Sequence, residues 1–404
     1  MYRQRRIRWA VLLAALPTTI VVLILGAPTK TVLGTGAVVL LDGARTAGAS
    51  GCSIYVRSVA LLGDLTDAAS ITAPVRVDVA PLPGGTGWLV TDLEGEQNLR
   101  YGPEGAYQGV YLPRGQGPGE VEAPARVALD PFDSLWVTHG RGRAVLIGEA
   151  GAERTIVSPE QFAVDGHTPS GRPFSTAFWS PLDEGGAPML GESVAGAIVM
   201  DREGGVLYEL GPISPIPEGE RGIGPTRSMQ PISLAAQSDS VFLGPDPTAS
   251  DVWVSRWTAE GGEPFVYSES IRQALVDPSV GPGIPFDGQT MALISSHGTG
   301  IWGLGRLTAL TDAEQDRLRR ELAEELGLED ASGSYFRYHP AVSNQAHRTV
   351  LFHMLDDGTV TEAVLMEGMP RGFVDQDHYF TLRESEMGVL QIRVWRFERR
   401  CDEG

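Results

Sequence analysis

Lysine is almost absent from this chain: Lys30 is the only lysine among 404 residues, and arginine supplies every other basic side chain. This scarcity excludes a lysine-based phosphate loop and Schiff-base chemistry. Acidic residues outnumber basic ones, and the formal net charge is −19. Residues 1–28 hold four arginines and no acid, so the rest of the chain carries a net charge of −23. A surface this acidic repels phosphate backbones, so we predict no nucleic-acid partner.

Sequence motifs of common catalytic sites are also missing. No Gly-x-Ser-x-Gly elbow occurs, and the seven histidines form no i, i+4 pair of the zinc-protease kind. A metal site would therefore have to be assembled from separate parts of the chain, and we predict neither a metal site nor a cofactor. The sequence assigns no catalytic residue. The histidines are His139, His167, His297, His339, His347, His353 and His378.

The N-terminal segment, residues 1–28, predicts export. Four arginines precede Trp9–Ala27, an uncharged apolar run of 19 residues that would be about 28 Å long as a helix. Cleaved signal peptides have shorter apolar runs, and no clean Ala-x-Ala site follows, so an uncleaved anchor in the inner membrane is favoured over a cleaved signal peptide. Residues 29–51 are predicted to be a linker. The folded part is then periplasmic or extracellular.

Glycine (50 residues) and proline (28 residues) are plentiful, which is typical of a protein made of short strands and turns. A turn at Arg114–Glu120 precedes an apolar run at 126–129, an Asp-Pro break and a second run at 134–137. A related pattern returns 107 residues later, at 221–225. Such a repeat is typical of a β-propeller. The turn residues are Gly115, Gly117, Pro118, Gly119 and Glu120, and we interpret Glu120 as an acceptor of backbone N–H groups rather than a catalytic acid.

Six groups of short strands follow one another along the chain, and the last group is one strand short. They cover residues 88–111, 126–157, 174–210, 232–267, 291–366 and 372–397. Residues 53–62 form an unused strand that can complete the last group as its outermost, antiparallel member. This arrangement places Cys52 beside Cys401, and an exported protein with two cysteines predicts a disulfide, with two unrelated thiols as the alternative. The bond would be worth about 4 to 5 kcal/mol.

One inserted amphipathic helix interrupts the predicted strands. Thr311 and Glu314 form a capping box, Leu318, Leu322 and Leu326 lie on one face, and Gly327 ends the helix. The fold class is therefore all-β: a six-bladed β-propeller over residues 52–401, with an N-terminal strand that closes the last blade and one inserted helix. The helix either packs on the rim or serves as a lid or partner surface.

The Gly-x-Gly-Pro-Gly-Glu turn at 115–120, the strand ending in Asp130 and the Leu135-Trp136-Val137 strand resemble the NHL-like six-bladed propellers of the exported type. The match is good in this one blade, although Thr138-His139 stands where such repeats often have an Asp. The resemblance implies a binding or scaffold propeller over residues 52–401. Some relatives of the wider fold are lactonases, lyases or other hydrolases, and fold alone does not choose among them.

The first strand of each blade faces the central channel, and two arginines begin such strands. Arg126 and Arg371 are the candidate ligand-binding residues, because a guanidinium binds carboxylate or phosphate groups in a bidentate manner. Ion pairing with neighbouring acids is the alternative. We predict a non-enzymatic binding or scaffold protein that presents its channel face to a protein or small molecule. The rival hypothesis is a metal-dependent hydrolase of the lactonase type, with calcium or zinc at the channel mouth.

Overall fold

The structure is a computed structural model that describes the greater part of the chain after residue 43. The predicted export segment, residues 1–28, and most of the predicted linker lie outside the described residues. Within the described part, no helix combines the length and the apolar character needed to cross a membrane. The described residues are 44–47, 52–63, 71, 77–92, 95–117, 119–121, 124–139, 143–148, 151–157, 164–181, 194–210, 221–223, 234–244, 251–275, 288–295, 300–328, 330–331 and 334–401.

The strands form six antiparallel sheets, which are the six blades of a propeller. Strands β1 (Ala44–Ala47) and β2 (Cys52–Leu62) come first in the chain. Blade one contains β3 (Val77–Pro81), β4 (Trp88–Asp92), β5 (Gln97–Tyr101) and β6 (Tyr107–Val110), and blade two contains β7 (Pro124–Leu129), β8 (Leu135–His139), β9 (Arg143–Gly148) and β10 (Gly151–Val157). Blade three contains β11 (Gly166–His167), β12 (Pro173–Pro181), β13 (Val194–Met200), β14 (Val206–Leu210) and β15 (Arg221–Ile223).

The second half of the ring has the same plan. Blade four contains β16 (Ala235–Ala236), β17 (Phe242–Gly244), β18 (Val252–Thr258) and β19 (Gly261–Tyr267). Blade five contains β20 (Gly288–Ser295), β21 (Ile301–Thr308), β22 (His347–Met354) and β23 (Val360–Glu367), and blade six contains β24 (Pro370–Phe373), β25 (His378–Glu384) and β26 (Leu390–Cys401). The predicted six-bladed architecture is confirmed.

Both faces of a blade are buried against its neighbours, so the strands are apolar on both sides. In β22, Phe352 packs towards blade four, with its ring centroid 6.0 Å from that of Trp253. The adjacent Leu351 belongs to the core cluster shared with blade six. In that cluster the ring centroids of Trp302 and Phe397 are 4.8 Å apart. Alternating side chains thus join each blade to both neighbours, which is how a propeller buries sheets that are unstable alone.

The ring closes as the strand count predicts. Strand β2 pairs antiparallel with β26, from Cys52 opposite Cys401 to Leu62 opposite Ile392. The two cysteines form a disulfide bond, with Cα atoms 3.9 Å apart. Strand β1 adds a further outer strand beyond β2, which the sequence analysis did not predict.

The predicted helix is confirmed, and the insertion contains two further helices. Helix α2 (Asp312–Leu326) has Thr311 as its N-cap in a complete capping box and ends at Gly327, whose φ of 70° is left-handed. Helices α3 (Ser334–Tyr338) and α4 (Pro340–Ala346) follow before β22, and α1 (Ser268–Ala274) follows β19. A 3-10 turn spans Pro83–Gly85. The insertion therefore contains three helices, where the sequence predicts one.

Candidate functional site

One end of the propeller carries both the helical insertion and the predicted arginines. The first strands of neighbouring blades contact each other, which places them nearest the channel. Because strands in a blade alternate in direction, the start of each first strand lies at the same end as the loop between its second and third strands. In blade five that loop contains α2, α3 and α4. We call this end, formed by the starts of β3, β7 and β24 and by helices α2–α4, the helical mouth.

Arg126 is paired with an acid of the next blade. Its Nε lies 3.1 Å from Asp165 Oδ1, and Asp165 Oδ2 also accepts a hydrogen bond from Thr176 N at 2.6 Å. Asp78 of blade one accepts a hydrogen bond from Val127 N at 3.1 Å. Burial raises the pKa of Asp78, and the charge of Arg126 opposes that rise. These contacts join blades one, two and three at the helical mouth, so Arg126 takes the ion-pairing role.

Arg371 has different surroundings. Its Nη2 donates hydrogen bonds to Tyr338 O and to Ser343 Oγ, the latter at 3.5 Å, and its Cζ lies 5.5 Å from the centroid of the Tyr338 ring. Among the described residues, no carboxylate forms an ion pair with Arg371, and its buried Nε has no hydrogen-bond partner. Burial lowers the pKa of Arg371 to about 10, with a further contribution from Arg306, so the guanidinium stays charged at neutral pH.

Helix α4 and the start of β22 are fastened to blade six beside Arg371. Asn344 accepts a hydrogen bond from Met369 N at 3.2 Å and donates one to Leu382 O at 2.9 Å. Thr349 Oγ1 donates to Gly368 O at 2.8 Å. These bonds fix the seam between blades five and six on which Arg371 lies.

His347 lies in this seam, directly after α4. It is 6% exposed, and its Nδ1 has no hydrogen-bond partner among the described residues. Burial, together with the charges of Arg306, Arg371 and Arg348, lowers the pKa of His347 to about 3. The imidazole is therefore neutral at physiological pH. In the sequence, His347 is one of seven scattered histidines, and no local motif marks it.

A second polar group consists of His339, the N-cap residue of α4, and Glu384 of β25. His339 Nδ1 accepts a hydrogen bond from Ala341 N at 3.3 Å and lies 3.9 Å from Glu384 Oε2. Burial lowers the pKa of His339, with a smaller contribution from Arg371. Burial and the nearby Glu325 raise the pKa of Glu384. The carboxylate of Glu384 thus faces His339.

The Gly-rich turn lies between β6 and β7. Glu120 Oε2 accepts a hydrogen bond from Gly117 N at 2.8 Å, and Glu120 N donates to Gly117 O at 3.1 Å. A Cβ on Gly115 would overlap the Glu120 carboxylate, and Gly119 has a φ of 75°, so both positions favour glycine. Pro118 lies outside the described residues. In the structure, the Glu120 carboxylate is used to hold the turn.

A buried ion pair near the ring closure escaped the sequence analysis. Glu362 is 1% exposed and accepts two hydrogen bonds from Arg399 of β26, each 2.9 Å long. Thr361 Oγ1 lies 2.7 Å from His353 Nδ1 and donates to Glu362 Oε2 at 2.6 Å. We call these four residues the closure latch, because they join blade five to the strand that pairs with β2.

The described residues contain no group of three or more His, Cys, Asp or Glu side chains that could hold a metal ion. Asp78 and Asp165 of the helical mouth are both committed to backbone N–H groups or to Arg126. Among the described residues at this end, Arg371 is a charged guanidinium without a carboxylate partner, and its charge acts on the neutral imidazole of His347.

Replacing His347 by glutamine is expected to reduce the loss of stability in acid. The folded pKa of His347 is about 3 against an ordinary 6.5, so the unfolded chain binds more protons between these pH values. The buried neutral imidazole therefore has no stability cost well above pH 6.5. As the pH drops below this value the free energy of unfolding falls, by about 2 kcal/mol at pH 5. Urea unfolding at pH 7 and pH 5 measures the difference. An identical pH dependence in His347→Gln and the unmodified protein would contradict this prediction.

Comparison with known proteins gives only distant similarity. No protein family and no curated protein matches the chain. Among solved structures, the PQQ-bound aldose sugar dehydrogenase of Streptomyces coelicolor has 13% identity and a TM-score of 0.41, covering 87% of this chain and 100% of that chain. A member of the DUF4221 family from Bacteroides vulgatus has 9% identity and a TM-score of 0.46, covering 86% and 99%. A gluconolactonase from Xanthomonas campestris has 11% identity and a TM-score of 0.41, covering 90% and 99%. Similarity this low assigns no activity to the chain.

Proposed function

We propose that this chain is an extracytoplasmic, NHL-like propeller that binds a small-molecule ligand at the helical mouth and catalyses no reaction. The observation that carries the proposal is Arg371, a partly buried guanidinium that no described carboxylate neutralises. It is held in place by the Tyr338 carbonyl and the Ser343 hydroxyl of the insertion. A fixed, charged donor at the mouth of a channel is a suitable anchor for a ligand.

The disulfide supports a location outside the cytoplasm. Disulfides persist in oxidising compartments and are rare in the cytosol, and the bond between Cys52 and Cys401 joins the two ends of the ring. We propose that residues 1–28 export the chain, either as a cleaved signal or as an inner-membrane anchor. Residues 29–43 then serve as the linker, because β1 (Ala44–Ala47) already pairs with β2 in the last blade.

Metal analysis and lactone assays distinguish this function from that of a metal-dependent hydrolase. The protein is purified without chelator, its calcium and zinc contents are measured, and simple lactones are offered as substrates with and without added metal. We expect substoichiometric metal and no lactone turnover under any of these conditions. Stoichiometric calcium or zinc together with turnover that a chelator abolishes would overturn the proposal in favour of a lactonase-type enzyme.

A further inference from the structure

We propose that the helical mouth binds a small oxyanion, a carboxylate or a phosphate group, between Arg371 and His347. The inference rests on the proposed function, because it uses the same end of the channel. It goes further by naming the chemistry of the ligand and a second binding residue. Arg126 is not part of the proposed anion site, because its guanidinium is already paired with Asp165.

The guanidinium of Arg371 is positioned but not saturated. Both of its hydrogen bonds use Nη2, which leaves the N–H groups of Nε and Nη1 without an acceptor among the described residues. The contact with the face of the Tyr338 ring further restricts its orientation. A planar guanidinium with two nitrogens still available matches the bidentate geometry of a carboxylate or a phosphate group.

The imidazole of His347 supplies a second, neutral contact. Buried polar atoms are nearly always hydrogen-bonded, so a buried Nδ1 without a partner among the described residues points to an acceptor or donor that this part of the chain does not provide. His347 and Arg371 lie on the two sides of the seam that Asn344 and Thr349 fasten, and the charge of Arg371 acts on His347. We therefore infer that a single ligand contacts both. The neutral imidazole donates a single N–H to an oxyanion and adds no charge of its own.

The surrounding charges favour an anion at this position. Arg306 and Arg348 act on His347 together with Arg371, so three guanidinium groups produce the local field. The Arg348 guanidinium itself is bonded to backbone carbonyls of the α4 end, including His347 O at 3.1 Å. Glu384 of β25 lies 3.9 Å from His339 Nδ1 and forms no ion pair with these arginines. In a chain with a net charge of −19, this concentration of positive charge is a specific attraction for an anion.

The test is calorimetric titration of the full chain with sodium acetate and with inorganic phosphate at constant ionic strength. The unmodified protein is expected to bind at least one of the two in a saturable manner with one site. Arg371→Gln should weaken that binding at least about 10-fold, and His347→Gln about 3- to 10-fold. Arg256→Gln is the matched control, because Arg256 pairs with Glu263 on the two outer strands of blade four, outside the helical mouth, and its loss should leave the affinity unchanged. Equal affinities in all four proteins would overturn the inference.

A second measurement does not depend on any variant folding correctly. Crystals of the unmodified protein are soaked in arsenate, as a phosphate analogue, or in 4-bromobenzoate, as a carboxylate whose bromine is an unreactive anomalous scatterer. A peak in contact with both Arg371 and His347 supports the inference, and the soak that gives it identifies the preferred group. No peak there in either soak overturns it. Failure of the anion site leaves the metal and lactone results unaffected, so the two proposals fail separately.

Discussion

Replacing Cys52 and Cys401 together by serine is expected to lower the free energy of unfolding by about 4 to 5 kcal/mol. The bond joins residues 349 positions apart, so it removes the large chain entropy that the unfolded protein would gain if its ends were free. It also connects the two strands on which the circular arrangement of blades depends, β2 and β26.

The pairing between β2 and β26 should survive in the double variant, because it extends from position 52 to position 62 and its apolar side chains remain buried. We therefore expect a folded but less stable propeller. Urea unfolding of the oxidised protein, the reduced protein and the double variant measures the effect. The reduced protein is the matched control, since it should lose the same stability without any substitution. A loss below about 1 kcal/mol in both would show that the disulfide does not constrain the unfolded chain as described.

Replacing Glu362 by alanine is expected to destabilise the protein by about 3 to 5 kcal/mol. The change removes a buried carboxylate that neutralises Arg399 and accepts a hydrogen bond from Thr361. The Thr361 hydroxyl and the Arg399 guanidinium would then lose their acceptor, which is the costly way to break a buried ion pair. Because the Arg399 side chain is 27% exposed and water can reach it, we expect a value at the lower end of this range.

Glu398→Gln is the control for this experiment. Glu398 pairs with Arg400 on the same strand, but their side chains are 41% and 58% exposed, so its loss should cost less than about 1 kcal/mol. The combined change of Glu362 to leucine and Arg399 to methionine should recover part of the lost stability, because no buried charge then remains unpaired. Equal effects of Glu362→Ala and Glu398→Gln, measured by urea unfolding, would contradict the assignment of the closure latch.

The ring closure and helix α2 were predictable because each has a local or countable signal. The last strand group was one strand short, a spare strand stood at the other end of the chain, and two cysteines marked the junction. The capping box at Thr311 and the glycine at 327 define α2 in the sequence itself. Strand β3 was missed because it is only five residues long and includes Asp78 and Pro81, which are unfavourable in most strands.

The site was harder to predict, since its members are brought together only by the fold. Arg126 and Arg371 both begin the first strand of a blade and look equivalent in the sequence. They differ in what faces them: Asp165 of the next blade for Arg126, and the Tyr338 carbonyl of a short, unpredicted helix for Arg371. The closure latch is similar, because His353, Glu362 and Arg399 lie on three different strands. No spacing rule connects such residues before the blade order and register are known.

An N-terminal strand closes the ring and is joined to the C-terminal strand by a disulfide bond, which we propose forms outside the cytoplasm. Peptide mapping of the exported protein, alkylated before digestion and analysed by mass spectrometry without reduction, tests it most directly. We expect a single cross-linked peptide pair that contains Cys52 and Cys401, with no alkylated cysteine. Recovery of both cysteines as alkylated, free thiols would contradict the closure and the oxidising location together.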